Sequence, residues 1–270
     1  MRTVGAAVCV FFAVFFGGPL LWLLLAPTRT GYELATGPAF AFGSLANVAR
    51  TWHQLDAFAG GLFRRWMENS LIYSFSATAL TLATSIPAGY GLATGRFRGR
   101  RLLLGVTVVA MTMPATALVL PIFLELNGLH LLGSALTVVL PFAFFPFGVY
   151  LAFIYYANAL PPAVLEAARI DGCGEWEVFR RVALPLAKPV VALVFFFSFA
   201  ADWTNFFLPY VVLPDSAQYP VEVGLSDMFI GGPKGELALA ALIATAPVAL
   251  VFALSQRALV RGLVTGATSG

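Results

Sequence analysis

The sequence has few charged residues. Only 11% of its 270 residues are Asp, Glu, Lys or Arg, whereas 60% are hydrophobic, and the mean hydropathy is +0.86. A soluble domain carries about 25% charged residues. The deficit excludes a soluble enzyme and argues against a nucleic-acid-binding surface. Apolar runs of about twenty residues, each able to cross roughly 30 Å of hydrocarbon, indicate a polytopic membrane protein.

Cysteine and lysine are also scarce. Cys9 and Cys173 lie far apart, one in the first apolar run and one in a charged segment, so neither a disulfide nor a metal site is expected. Lys188 and Lys234, the two lysines, lie outside any G-x-x-x-x-G-K-[ST] loop, which would cradle nucleotide phosphates. We therefore expect the chain to hold no cofactor and to have no nucleotide-binding site of its own.

The apolar runs predict one transmembrane domain, residues 1–270, with six helices. The predicted spans are residues 4–26, 70–94, 102–125, 134–157, 190–212 and 237–259. The first run is too long for the 7–15-residue core of a cleaved signal peptide, and no clear A-x-A site follows it. We interpret it as an uncleaved membrane helix.

The distribution of basic residues predicts the orientation. Eleven of the sixteen lie on one side: Arg2, Arg96, Arg98, Arg100, Arg101, Arg169, Arg180, Arg181, Lys188, Arg257 and Arg261. Basic loops stay in the cytoplasm, so both termini are predicted to be cytoplasmic. The opposite side then holds a long loop at 27–69 and a Gly- and Pro-rich loop at 213–236. Loops of that length are often binding loops.

Residues 161–189 form a long charged interruption in the apolar second half of the chain. Pro161 and Pro162 suit a first helical turn, and Asp171-Gly172 is a turn signal. A second helix is predicted from Glu175, with Trp176, Phe179 and Val182 along one apolar stripe. Two interpretations stay open on these grounds: a helix-turn-helix that docks onto a cytoplasmic partner, or amphipathic helices that lie on lipid headgroups.

This segment resembles the cytoplasmic coupling loop of ATP-binding-cassette (ABC) importer permeases. That loop has Glu-Ala-Ala, three residues, Gly, nine residues, then Ile-x-Leu-Pro. Here Glu166-Ala167-Ala168, Gly172 and 182–185 (Val-Ala-Leu-Pro) stand at that spacing, with valine in place of isoleucine. The resemblance extends to Asn69-Ser70, to the basic turn at 95–100, to 203–205 and to the tail from Gln256, although Ser269 stands where the family often has lysine. It is similar to the second permease of maltose-type carbohydrate importers.

The resemblance implies a type I ABC importer permease fold, all-α, in a bacterial or archaeal plasma membrane. It implies four kinds of partner besides membrane lipid: a cytoplasmic ATPase dimer that holds ATP and Mg, a second permease of a different sequence, an extracytoplasmic sugar-binding protein that meets the external loops, and no nucleic acid. Carried over by position, Glu166 would contact the ATPase, Ala167 and Ala168 would allow close approach, and Gly172 would make the turn, with Arg169 and Asp171 in the same docking surface.

Asp202 is the most conspicuous charge within a predicted span. Intramembrane acids face a bundle interior or a wet cavity. Asp202, Trp203 and Asn205 either line a sugar path or form a polar cluster between helices, and both interpretations stay open.

Two other functions make different demands on the sequence. A proton-coupled secondary carrier would need several intramembrane acids and no docking motif. A membrane-embedded enzyme would need clustered His, Asp or Ser-base groups at one depth. The sequence favours the ABC permease over both.

Overall fold

The computed structural model describes the backbone of residues 2–231 and 234–267 and the side chains of residues 5–230 and 234–256. These residues are mostly helical and contain no β-strand. The α-helices are α1 (Arg2–Leu25), α2 (Gly31–Thr36), α3 (Leu45–Ala57), α4 (Leu62–Thr94), α5 (Arg100–Thr112), α6 (Ala115–Gly128), α7 (Leu136–Val139), α8 (Pro146–Ala159), α9 (Pro162–Ile170), α10 (Glu175–Val178), α11 (Leu184–Leu186), α12 (Lys188–Trp203), α13 (Phe207–Val212), α14 (Val221–Gly231) and α15 (Lys234–Ala267). A π-helical turn, Phe179–Ala183, joins α10 to α11.

The membrane-crossing helices agree with the predicted class of fold. Among the described residues, four helical segments are long and apolar enough to span a bilayer: Gly5–Thr28, Leu62–Thr94, Leu136–Ala159 and Lys234–Gln256. Two bent pairs qualify if each counts as one span: Arg100–Thr112 with Ala115–Gly128, and Glu175–Leu186 with Lys188–Trp203. Counting both pairs gives six spans. The all-α membrane fold is confirmed.

The third predicted span, 102–125, is wrong as a single straight helix. The chain bends by 108° between α5 and α6. Met113 takes an extended conformation, φ −75° and ψ 126°, and so does Pro114, φ −62° and ψ 129°. A residue before proline is pushed out of the α region by the proline ring, which explains the break at Met113.

The fifth predicted span, 190–212, is also interrupted. Helix α12 ends at Trp203, and α13 begins at Phe207. At its other end α12 is bent by 79° against the preceding Glu175–Leu186 segment. Pro189 lies in the first turn of α12, where its missing N–H costs nothing.

The two long predicted loops contain helices. Helices α2 and α3 lie within 27–69, and α14 lies within 213–236. A capping box begins α2, because Thr30 accepts a hydrogen bond from the Glu33 N–H while the Glu33 carboxylate accepts one from the Thr30 N–H. Ser44 caps α3. Helix α4 begins at Leu62, eight residues before the predicted start of the second span.

The described residues form two compact units, and each is considered by itself. The first comprises Met1–Asn69 and Tyr219–Pro247. Its core includes Leu55, Trp66 and Met228, all fully buried. Gly224 packs directly under the Trp66 ring, since an added Cβ would overlap that ring. The Asn69 side-chain amide donates to the Tyr219 carbonyl at 3.1 Å.

The second unit comprises Ser70–Gln218 and Val248–Gly270. One hydrophobic cluster connects α4, α8, α9, the π-helical turn and α12; its members are Ile86, Tyr90, Ala152, Tyr156, Leu160, Leu165, Ala168, Val178, Phe179, Ala183, Ala187, Val190 and Val194. The 161–189 segment is therefore packed against the ends of membrane helices and has a fixed position relative to them.

Candidate functional site

Helix α9 begins as the sequence predicts. Pro161 occupies the N-cap and Pro162 the first helical position, where proline costs no hydrogen bond. The helix buries Leu165 and Ala168 in the cluster of the second unit. Glu166 and Ala167 lie on its opposite, exposed face. The alternation fixes which part of α9 is held by the chain and which part is open to a partner.

The predicted turn lies at Asp171–Gly174. Gly172 has φ +88°, in the left-handed region that favours glycine. The Asp171 N–H donates to the Ala167 carbonyl at 3.0 Å, and the Cys173 N–H donates to the Ala168 carbonyl at 3.1 Å. These bonds satisfy the last carbonyls of α9 and end the helix with a sharp reversal.

Arg169 joins the two sides of this turn. Its Nε donates to Glu175 Oε1 at 2.7 Å and its Nη2 donates to Glu175 Oε2 at 3.1 Å. This two-point hydrogen bond from Arg169 lowers the pKa of the Glu175 carboxyl, so Glu175 stays ionised at neutral pH. The pair ties α9 to the start of α10.

The second helix differs from its predicted form. The π-helical turn that follows α10 adds a residue and shifts the buried face, so that Val178, Phe179 and Ala183 are buried. Trp176 remains 65% exposed, with its ring 5.3 Å from that of Phe179. The predicted stripe of Trp176, Phe179 and Val182 is therefore wrong at Trp176, because it assumed regular α-helical spacing.

The exposed surface of the segment is partly apolar. Ile170 is 85% exposed and Val164 is 41% exposed, and both share the outer face of α9 with Ala167. Glu166 stands among them and makes no ion pair with the described residues. Exposed apolar surface around an unpaired charge is typical of a protein contact. We call the exposed residues Val164, Glu166, Ala167, Ile170 and Trp176 the outer face of the segment.

A groove of about 680 Å³ lies beside this face. Its walls come from the end of α4, the following basic turn, the end of α8 and α9, and include Arg96, Tyr156, Glu166, Arg169 and Glu175. Both signs of charge line it. The coupling segment thus presents a recess next to a protruding helix.

Comparison with known families supplies the decisive observation. Residues 85–265 match the model of the family described as "binding-protein-dependent transport system inner membrane component". The matched stretch includes the whole 161–189 segment. The chain belongs to this family. It is a multi-pass inner-membrane transport component, and the carrier and enzyme alternatives are not supported.

Two relatives of this permease carry the same name, "arabinooligosaccharides transport system permease protein AraQ". The protein of Bacillus subtilis (strain 168) is 34% identical over 213 residues, which cover 78% of this chain and 75% of that protein. The protein of Halalkalibacterium halodurans is 32% identical over 273 residues, covering 100% of this chain and 96% of that protein. The likeness therefore extends over the permease as a whole.

A solved structure shows the same fold. It is described as a bacterial ABC transporter involved in the import of the acidic polysaccharide alginate. One of its chains matches this permease with a TM-score of 0.80 and 22% sequence identity, covering 95% of each chain. The predicted type I ABC importer permease fold is confirmed.

The proposed path residues lie apart from the coupling segment. Asp202 and Trp203 are buried, at 4% and 2% exposure, and Asn205 is half-buried beyond the end of α12. Asp202 Oδ1 has no hydrogen-bond partner among the described residues. The Asn205 N–H donates to the Asp202 carbonyl at 3.0 Å, so the two are joined through the backbone. Whether they line a sugar path stays a prediction.

Three features fall outside what the sequence reasoning located. The capping box at Thr30–Glu33 and the Ser44 cap were signals for α2 and α3 in the first external loop. The π-helical turn had no recognisable signal. The family-like tail is described only in part: side chains beyond Gln256 and the position Ser269 lie outside the described residues. No group of three or more His, Cys, Asp or Glu suited to a metal ion occurs among the residues the structure describes.

Proposed function

We propose that this permease is the transmembrane subunit of an ABC importer for oligosaccharides and forms half of its translocation pathway. The observation that carries the proposal is the family match, supported by relatives named for arabino-oligosaccharide transport over most or all of the chain. The substrate class is a sugar oligomer.

Energy enters through the 161–189 segment. The outer face offers Glu166, Ala167 and Ile170 to a cytoplasmic ATPase, while Leu165 and Ala168 anchor the same helix in the cluster that includes residues of α4, α8 and α12. A displacement of the outer face is thus passed to membrane helices through close packing. Arg169 and Gly172 keep the segment in one shape, and Asp171 precedes the turn. The partner ATPase dimer holds ATP and Mg.

The remaining partners follow from the family. A second permease of different sequence completes the pathway, and an extracytoplasmic sugar-binding protein delivers substrate to the loop at 213–236, which includes α14. Both termini are cytoplasmic in this arrangement, which agrees with the eleven basic residues on that side.

The sugar path is proposed to pass Asp202, Trp203 and Asn205. Amide, carboxylate and indole groups suit hydrogen bonding to, and stacking on, a polyol. The burial of Asp202 and Trp203 favours the second candidate role, a polar cluster that holds α12 in place.

Reversing the charge of Glu166 tests the coupling role. Glu166→Lys places a cation in the middle of the outer face without touching the buried side of α9, so the chain should still insert and fold. We expect ATP hydrolysis by the purified complex to become independent of transport, or the ATPase to dissociate, with sugar uptake in vesicles falling at least tenfold. Glu68→Lys, the same change at an exposed glutamate outside the segment, is the matched control.

Two results would contradict the proposal. If Glu166→Lys transported sugar as fast as Glu68→Lys, the outer face would not carry the coupling. If the native chain purified from its membrane without an ATPase and drove uptake without ATP, the assignment as an ABC permease subunit would be lost.

A further inference from the structure

A small polar pocket in the first unit has no role in the function proposed above. Its volume is about 200 Å³. The residues that matter for its chemistry are Arg29, Asn47, Arg50, Gln54, Gly235 and Glu236. They come from the end of the first span, one face of α3 and the first turn of α15.

Helix α3 builds one wall through its periodicity. Asn47, Arg50, Thr51 and Gln54 follow the i, i+3, i+4, i+7 spacing of a single helical face. The Asn47 amide donates to the Thr28 carbonyl at 3.0 Å, and the Thr51 hydroxyl donates to the Pro27 carbonyl at 3.5 Å. These bonds hold the face against the end of the first span and leave Arg50 and Gln54 at the pocket.

Arg29 is a buried cation without a counterion. It is 4% exposed and forms no ion pair with the described residues. Its Nη1 donates to the Ala39 carbonyl at 3.4 Å and its Nη2 donates to the Glu33 carbonyl. Both acceptors are neutral, and a guanidinium has five N–H groups. A buried charge is costly unless it is paired, so this pocket favours an anion.

Glu236 places the opposite charge in the same pocket. It is 8% exposed, in the first turn of α15, and also forms no ion pair with the described residues. The two walls are close together, because a Cβ added at Gly235 would lie 4.0 Å from the Arg29 carbonyl oxygen and 4.0 Å from Thr51 Cγ2. Two guanidinium groups and one carboxylate therefore line a cavity in which none of them is paired. A zwitterion would satisfy all three.

The position of the pocket limits what reaches it. The span Gly5–Thr28 ends directly before Arg29, and the span Lys234–Gln256 begins directly before Gly235. The pocket therefore lies where two spans leave the hydrocarbon, at the depth of lipid headgroups. Trp22 near the end of the first span and the exposed Tyr32 and Trp52 nearby are residues enriched at that depth.

We propose that this pocket binds the headgroup of a phospholipid that carries both a phosphate and a primary amine, as phosphatidylethanolamine does. Arg50 and Arg29 contact the phosphate, and Glu236 accepts hydrogen bonds from the ammonium group. Charge-assisted bonds of this kind are the strong ones. A volume of 200 Å³ equals about six or seven water molecules, which suits a headgroup and is too small for an oligosaccharide.

The test measures which lipids stay bound to the full-length chain in its complex. The complex is reconstituted in nanodiscs that contain equal amounts of phosphatidylethanolamine and phosphatidylglycerol, extracted in mild detergent, and examined by native mass spectrometry. We expect the unaltered chain to retain phosphatidylethanolamine selectively. Arg50→Gln should reduce the retention of both lipids by about tenfold, the effect of one charged hydrogen bond. Arg65→Gln, at an exposed arginine outside the pocket, is the matched control and should change nothing.

Glu236→Gln separates the two halves of the headgroup. It should abolish the preference for the amine-bearing lipid while phosphate-dependent retention persists. Because Glu236 is buried, the thermal unfolding midpoint is measured alongside, and Arg50→Gln, at an exposed position, provides the test that does not depend on folding.

Three outcomes would overturn the proposal. The first is equal lipid retention by Arg50→Gln and Arg65→Gln. The second is displacement of the lipid by millimolar inorganic phosphate, which would make the occupant a soluble anion. The third is an unaltered chain that shows no selectivity for the amine-bearing lipid. None of these results bears on ATP coupling through Glu166, so the two proposals fail separately.

Discussion

Gly172 and Gly174 lie two residues apart in the turn of the coupling segment, in different backbone conformations. Gly172 has φ +88°, whereas Gly174 has φ −69° and ψ 159°, which any residue adopts. A Cβ added at either position would meet no atom within 4 Å. The two glycines therefore differ in backbone conformation and not in steric space.

Replacing each glycine by alanine isolates the conformational requirement. Gly172→Ala forces a side chain into the left-handed region, at a cost of about 1–2 kcal/mol. We expect faster hydrogen exchange of the amides in α9 and α10 and reduced sugar uptake. Gly174→Ala should leave both measurements unchanged. Equal effects of the two substitutions would show that the turn does not depend on the left-handed conformation at residue 172.

At this scale the sequence identifies local chemistry well and burial poorly. Asp171-Gly172 predicted the turn, and Pro161-Pro162 predicted the start of α9, because both depend on backbone preferences of the residues themselves. The exposure of Trp176 was not predictable, because it follows from a π-helical turn that only the packing around Phe179 and Ala183 reveals. The unpaired Arg29 and Glu236 were likewise invisible, since burial of a charge is a tertiary property.

Helices α4 and α8 approach each other closely at Gly89. An added Cβ there would overlap the Ala152 side chain and lie 2.7 Å from the Phe153 backbone nitrogen. Gly91, two residues along the same helix, has no atom within 4 Å of an added Cβ. The contact at Gly89 is backbone against backbone, so neither helix can relieve it by a side-chain rotation.

Alanine substitutions at these two positions measure the closeness of the helix pair. Gly89→Ala should destabilise the chain by about 1–3 kcal/mol, the usual cost of overpacking, and lower the thermal unfolding midpoint. Gly91→Ala should be neutral or raise the midpoint slightly, because alanine favours a helix interior over glycine by about 0.5–1 kcal/mol. An unfolding midpoint for Gly89→Ala at or above that of Gly91→Ala would contradict the packing described for α4 and α8.

Elements were predictable where apolar length alone decides. Residues 4–26 and 237–259 lie close to the spans Gly5–Thr28 and Lys234–Gln256. The breaks at Met113 and between Trp203 and Phe207 were missed because hydropathy does not register a bend. Proline marked the first of these positions, but Pro87, within the continuous α4, shows that proline in a membrane helix does not always break it.

The whole molecule has a strong asymmetry of basic residues, and this predicts its orientation. His53 and Arg98 are both exposed, the first in α3 and the second in the basic turn after α4. They belong to opposite predicted sides. Each can be replaced by cysteine in a background in which Cys9 and Cys173 are changed to serine.

Labelling of these cysteines in intact cells tests the orientation. A membrane-impermeant maleimide should modify His53→Cys directly but should modify Arg98→Cys only after the cells are permeabilised, because the basic turn faces the cytoplasm. The reverse pattern would invert the topology and would place the 161–189 segment out of reach of an ATPase.

The π-helical turn at Phe179–Ala183 has a consequence for engineered hybrids. A π turn holds one residue more than an α-helical turn, so deleting a residue there would restore regular winding and rotate everything beyond it by about 100°. Helix α12 would then present the wrong side to α8. A graft of this segment from another permease must therefore conserve the residue count between Gly172 and Pro185, whatever side chains it exchanges.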